Sequence, residues 1–195
     1  MNINILIFND FEPLDVFGPM EVFLHADGFQ VNLFTLDKAS NIKSYNQISL
    51  VVKSVSDINK KGVLLIPGGP ATRTLISDTD FLKELASLAS EAAYCLTVCT
   101  GSALLAATHL MDGKRATSNK LAFDWVTSSN PKVNWIKRAR WVVDDHLYSS
   151  SGVSAGIDMS LAFLANAVNE EFADNIAHHI EYIRVKNNNN DPFSK

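Results

Sequence analysis

A chain of 195 residues with 47% hydrophobic and 19% charged side chains is long enough for a single domain with a sizeable core and too apolar for global disorder. Seventeen Lys and Arg against 21 Asp and Glu leave a formal charge of −4, and no basic run stands out, which excludes a nucleic-acid footprint. No apolar run reaches the ~18 residues that cross a bilayer, and no leader-like pattern opens the chain, so a soluble cytoplasmic protein is expected, with no membrane partner. The two cysteines, Cys95 and Cys99, would lie roughly 13 Å apart if Tyr94 to Val98 is extended, too far for a disulfide.

The apolar run Ile3, Ile5, Leu6 and Ile7 ends in Asn9-Asp10 and predicts a first strand. A helix carrying Met20, Val22, Phe23 and Leu24 follows, with Pro19 expected in its first turn. Phe29 to Leu36 reads as a second strand. Between residues 38 and 60 only short β-rich islands stand out, such as Ile48 to Val52, consistent with a hairpin. Val63 to Ile66 is a short strand buried on both faces, stopped by Pro67-Gly68-Gly69-Pro70. Ser77 and Asp80 then predict a helix start, with Phe81, Leu85, Leu88 and Ala92 at helical spacing.

Tyr94 to Val98 is the next buried strand and runs directly into a helix through Leu104, Leu105 and Leu110. Val133 to Ser150 alternates like paired strands. Two helices close the domain, the second expected to carry Phe172, Ile176, Ile180 and Ile183, with Glu170 and Glu171 at its start and Arg184 and Lys186 at its end. This predicts one domain over residues 1–186 and a loose polar tail over 187–195. Strands alternating with helices predict a three-layer α/β/α sandwich around a mostly parallel sheet.

Ligands of such sheets bind beyond the carboxyl ends of the strands, which directs attention to Asn9–Asp15, Gly68–Pro70 and Cys99–Gly101. Cys99 sits where a strand turns abruptly into a helix, and the following N–H groups can stabilise a thiolate or an oxyanion. A buried structural cysteine is the plain alternative, and for mid-strand Cys95 it is the better reading. Gly68-Gly69 can turn backbone N–H groups toward a neighbour. Asp15, among apolar residues, is a candidate for a raised pKa and proton exchange, or simply a helix cap; Asp10 and Glu12 rank below it. Gly152-Val-Ser154-Ala-Gly156 fits G-x-S-x-G, but the remaining chain offers no later strand ends for an acid and a histidine, so Ser154 reads as an N-cap. The five histidines form no metal-binding spacing, His178 and His179 included, and no nucleotide-binding glycine pattern occurs.

Leu14-Asp-Val-Phe-Gly-Pro-Met-Glu-Val-Phe23, Ile66-Pro-Gly-Gly-Pro70, Thr97-Val-Cys-Thr-Gly-Ser-Ala-Leu-Leu-Ala106, Arg115-Ala-Thr117, Gly152-Val-Ser-Ala-Gly-Ile-Asp158 and Asp191-Pro-Phe193 together resemble the ThiJ/PfpI superfamily, and within it the isocyanide (isonitrile) hydratases. The resemblance spans nearly the whole chain. It implies a flavodoxin-like, glutamine amidotransferase-like fold, a homodimer burying the Asp15–Phe23 segment, a small-molecule substrate and no cofactor or metal. It further implies Cys99 as nucleophile, Asp15 as acid/base, and Gly69, Pro70, Thr100 and Gly101 as groups that orient the substrate, Gly69 and Thr100 through their backbone N–H groups. Thr100 replaces the histidine that the family's proteases carry after the cysteine. Ser118-Asn119-Lys120 departs from the Thr-His-Trp of hydratase-like sequences, leaving Asn119, with Val153, as pocket residues. A glyoxalase or deglycase, an amidase- or protease-related hydrolase, and a non-enzymatic cysteine sensor are the alternatives. AraC-type regulators share the domain but continue into a helix-turn-helix, which is not expected here.

Overall fold

The computed structural model describes residues 1–37 and 41–194. Strand β1 (Asn2–Leu6) pairs in parallel with both β2 (Gln30–Thr35) and β6 (Val63–Ile66), so it is buried on both edges as well as both faces. Between β2 and β6 the chain forms a small antiparallel hairpin, β3 (Asn41–Lys43) with β4 (Ser49–Val51), and an edge strand β5 (Lys53–Ser54). Strand β7 (Tyr94–Thr97) continues the sheet beside β6, and the hairpin β10 (Trp141–Asp144) and β11 (Leu147–Ser150) completes it. The resulting order is β10-β11-β7-β6-β1-β2-β5, parallel except for the β10–β11 pair. The expected residues 38–40 of the polar excursion lie outside the described residues.

Right-handed crossovers fix which face each helix covers. From β1 the chain moves one way to β2, and from β6 the other way to β7, so the intervening helices α1 (Pro13–Leu24) and α3 (Thr79–Glu91) lie on opposite faces. Helix α1 packs on α6 (Ala155–Ala167), which packs on α7 (Glu170–His179); α3 packs on α4 (Gly101–Ala107), with α2 (Thr72–Leu75) and α5 (Phe123–Ser129) beside it. The strand order reverses between β1 and β6, so a crevice opens at their carboxyl ends. Ile3, Ile5, Leu6, Leu65, Ile66 and Leu96 fill the centre of the core with no exposed surface.

Several local expectations are corrected. Pro13, not Pro19, occupies the first turn of α1; Pro19 lies within the helix, against α6, where Gly156 leaves room for it. Asp78, not Ser77, caps α3, its carboxylate accepting the N–H groups of Asp80 and Phe81. Helix α4 stops at Ala107, short of Leu110, where His109 adopts a positive φ of 64°. Ser154 occupies the N-cap position of α6 but makes no side-chain cap. Of the Val133–Ser150 segment, only β10–β11 forms the expected hairpin; β9 (Asn134–Trp135) pairs with β8 (Arg115–Ala116) in a separate ladder.

The C-terminal region differs most. Helix α7 ends at His179, and Glu181 takes a φ of 51° that turns the chain back. Arg184 and Lys186 therefore meet Glu170 and Asp174 across the returning strand of chain, not along the helix axis. The tail is docked instead of loose: Arg140 donates its N–H to Asn188, Asp191 donates its own to Arg138, and the Asp191 side chain is buried. Beneath it Arg140 and Asp158 form a buried ion pair at 2.7 Å. Of the expected interface segment, Asp15, Val16, Gly18, Pro19, Val22 and Phe23 are buried within the chain, while Phe17 and Met20 are half-buried and Glu21 is exposed. Among the described residues no helix is long and apolar enough to cross a membrane.

Candidate active site

Three consecutive strands deliver the expected residues to one place. Asp15 follows β1, Gly68 and Gly69 follow β6, and Cys99 follows β7, with neighbouring strands about 4.8 Å apart. Cys99 holds φ at 55°, a left-handed conformation that a side chain rarely adopts. Its carbonyl accepts hydrogen bonds from the hydroxyls of Ser102 at 3.1 Å and Ser118 at 2.8 Å, and its N–H donates to Ser151. These three bonds hold the strained peptide in place. Gly101 is required just after it, because a Cβ there would meet the Ile66 carbonyl oxygen at 2.2 Å. Cys95 packs in the core as expected, and both cysteines are free thiols.

Asp15 lies in the first turn of α1 with no exposed surface. One carboxyl oxygen accepts the Gly68 N–H at 2.8 Å; the other, Oδ1, is buried with no hydrogen bond of good geometry among the described residues. Burial pushes its pKa up to about 8, against the lowering effect of the Gly68 N–H; the charge of Glu12 raises it further and the neighbouring Cys99 thiol lowers it slightly. Burial, and then the charge of Asp15, push the Cys99 thiol above its ordinary range, while the Thr100 N–H and the Asn119 side chain pull it back. The helix N-terminus alone therefore does not produce a free thiolate, contrary to the simplest expectation. Two adjacent anions are disfavoured in this dry site, so the pair never loses both protons through neutral pH.

A cavity of about 210 Å³ opens over the sulfur, lined by Glu12, Gly69, Pro70, Thr72, Arg73, Cys99, Thr100, Asn119 and Val153. It thus gathers Gly69, Pro70, Thr100, Asn119 and Val153 around Cys99, with Asp15 beneath the sulfur and Gly101 in the packing behind it. The Gly69 N–H is not free as an oxyanion donor here: it donates to the Thr100 hydroxyl at 3.1 Å, which also accepts from Thr72 at 3.1 Å. Thr72, Arg73, Ser102 and Ser118 were not marked out by the sequence, and Gly68 was marked only together with Gly69, without its bond to Asp15. Gly68 had a signal, the absence of a side chain: a Cβ there would lie 2.5 Å from the Thr100 hydroxyl oxygen and 2.8 Å from Asp15 Oδ2. Arg73 closes one side of the cavity with its guanidinium 4.3 Å over the Trp125 ring. Among the described residues no three His, Cys, Asp or Glu side chains cluster as metal ligands; His179 instead lies against His25, with ring centroids 4.5 Å apart and the rings tilted by 49°.

A family model described as "DJ-1/PfpI family" matches residues 1–166. The chain belongs to the DJ-1/PfpI family. It is 30% identical to an isonitrile hydratase of Pseudomonas putida over 183 residues, covering 93% of this chain and 78% of that protein. The crystal structure of a ThiJ/PfpI family protein from Pseudomonas syringae superposes with a TM-score of 0.84 at 25% identity, covering 94% of this chain and 76% of that one. Drosophila melanogaster DJ-1beta shares the fold, with a TM-score of 0.79 at 18% identity over 93% of this chain and 98% of its own. The DJ-1/PfpI assignment accords with the three-layer sandwich expected from the strand–helix alternation and with the flavodoxin-like fold that the resemblance implied.

Proposed function

We propose that this family member is a cysteine-dependent hydratase that adds water to isocyanides and releases N-substituted formamides. The observation that carries the reading is the buried Asp15 carboxyl beside the Cys99 sulfur, with its pKa raised to about 8. A carboxyl of that kind is protonated at neutral pH and can give a proton to carbon, which the terminal carbon of an isocyanide requires on attack. The similarity to isonitrile hydratase supports the same chemistry. No histidine lines the cavity, so a cysteine–histidine hydrolase finds less support.

In the proposed reaction the Cys99 sulfur bonds to the terminal carbon while the Asp15 proton transfers to that carbon, giving a thioimidate. The Asp15 carboxylate then accepts a proton from water as the oxygen adds to the same carbon, and that proton passes to nitrogen. When the remaining O–H proton goes to Asp15, the carbonyl forms, the C–S bond breaks and its electron pair returns to sulfur. Water has been added, and both side chains regain their starting states. The test is formamide production from a simple alkyl or aryl isocyanide by wild type and Cys99→Ala. Turnover by wild type alone is expected; equal turnover by the alanine variant, or none by wild type, would end the proposal.

A further inference from the structure

We infer that Asn119 is a catalytic residue: its amide is a fixed, non-titrating hydrogen-bond donor that favours the anionic form of the Cys99 sulfur while Asp15 carries its proton. The inference deepens the hydratase reading and rests on it for the reaction concerned, but its electrostatic content can be tested without turnover. Asn119 Nδ2 donates to Cys99 Sγ at 3.1 Å. The other end of the amide accepts two backbone N–H groups, from Leu121 at 2.9 Å and Ala122 at 3.0 Å. That arrangement decides the orientation of the side chain. Turned over, the NH2 group would face two N–H donors and the oxygen would face the sulfur, losing all three bonds.

An amide anchored in this way supplies a positive dipole end to the sulfur at every pH. A donor to a thiolate stabilises it more than it stabilises a thiol, so the contact favours the arrangement in which sulfur is anionic and Asp15 carries the proton. That is the arrangement the reaction starts from. An imidazole at the same place would do this only in part of the pH range, and it would compete with Asp15 as proton carrier. The other charged groups around the sulfur are Glu12 before α1 and Arg73 on α2, both at the cavity wall. Lys120 is adjacent in sequence, but its ammonium is turned to the Thr117 hydroxyl and to the carbonyls of Ser118 and Ala139. Outside the Asp15–Cys99 pair, the Asn119 amide and the Thr100 hydroxyl are the side-chain groups that bond the sulfur, the amide at 3.1 Å and with its orientation fixed by two backbone N–H groups.

The experiment is the rate of Cys99 alkylation by iodoacetamide between pH 5 and 10, with Cys99→Ser giving the background from buried Cys95. Asn119→Ala is expected to alkylate about tenfold more slowly than wild type at neutral pH, the scale of one lost hydrogen bond to a charged group. This runs against the effect of the smaller side chain, which opens access to the sulfur. Asn119→Asp keeps an acceptor for Leu121 and Ala122 while removing the donor, and should slow alkylation further, so a folding defect in the alanine variant does not decide the matter. Asn119→His should add an inflection between about pH 6 and 7 that wild type lacks. Alkylation at wild-type rates by both the alanine and aspartate variants would overturn the inference. A wild-type enzyme inert toward isocyanides would remove the hydratase reading and leave this result standing.

Discussion

Asp15→Asn tests the buried carboxyl by a route independent of activity. In the unfolded chain the carboxyl titrates near 3.9; folded, it is raised to about 8 by burial. Between those values the folded protein binds one proton that the unfolded chain has released, so stability falls as pH rises, by about 1.4 kcal/mol per pH unit. By pH 8 the accumulated loss is on the order of 5 kcal/mol, and Asp15 has no exposed surface through which solvent could screen it. Asparagine keeps an oxygen for the Gly68 N–H, held at 2.8 Å in the wild type. Any cost of burying the rest of its amide is the same at every pH and leaves the slope untouched. Cys99 does not enter, because an unfolded thiol begins to ionise only near pH 8.5. Guanidinium unfolding at pH 5, 6 and 7 should therefore show the variant gaining on wild type by about 1.4 kcal/mol per unit. Parallel stability curves would refute the argument that burial keeps this carboxyl protonated. The same variant should lose about 10²- to 10⁴-fold in isocyanide turnover, the usual span for a proton donor.

Gly68→Ala places a Cβ within 2.7 Å of the Thr100 nitrogen and 2.8 Å of Asp15 Oδ2, forcing both reacting loops to move. Turnover should fall at least 100-fold, the scale of a misplacement of about 1 Å, with a near-native far-UV spectrum; retained turnover would show that the loops yield freely. Arg140→Ala leaves Asp158 buried with the Val185 N–H and the Tyr182 hydroxyl as its neutral partners and no cation beside it among the described residues. Urea unfolding should record a loss of about 3–5 kcal/mol, and a loss below 1 kcal/mol would mean that water or the tail replaces the guanidinium.

The strand–Cys99–helix junction and the apolar setting of Asp15 were legible because each depends on neighbours within a few residues. So were the central strands, whose short apolar runs admit few other placements. The contact between Asn119 and Cys99 was not, because it joins loops 20 residues apart and no spacing rule connects them. Gly68 and Gly69 attracted attention together at the strand end, but Gly68 holds Asp15 while Gly69 donates to Thr100, a distinction made by one peptide's orientation. The end of α7 was misread for a similar reason. Glu170, Glu171, Arg184 and Lys186 satisfy a helix-dipole pattern in one dimension, whereas the positive φ of Glu181 folds the cations back onto Glu170 and Asp174. Charge complementarity was readable; the path of the chain between the charges was not.

The docked tail has a consequence for how this protein can diverge. Asp191 anchors it to Arg138, while Pro192 and Phe193 join Leu14, Leu121 and Val153 around a groove of about 760 Å³ that meets the Cys99 cavity at Asn119 and Val153. Leu121 and Phe193 are mostly solvent-exposed, so replacing them alters stability by only about 0.5 kcal/mol. The reacting groups, in contrast, are set by the register of three core strands and tolerate almost no change. Mutational drift can therefore reshape what the mouth of the site admits at little risk to folding, while the chemistry at its base is inherited intact.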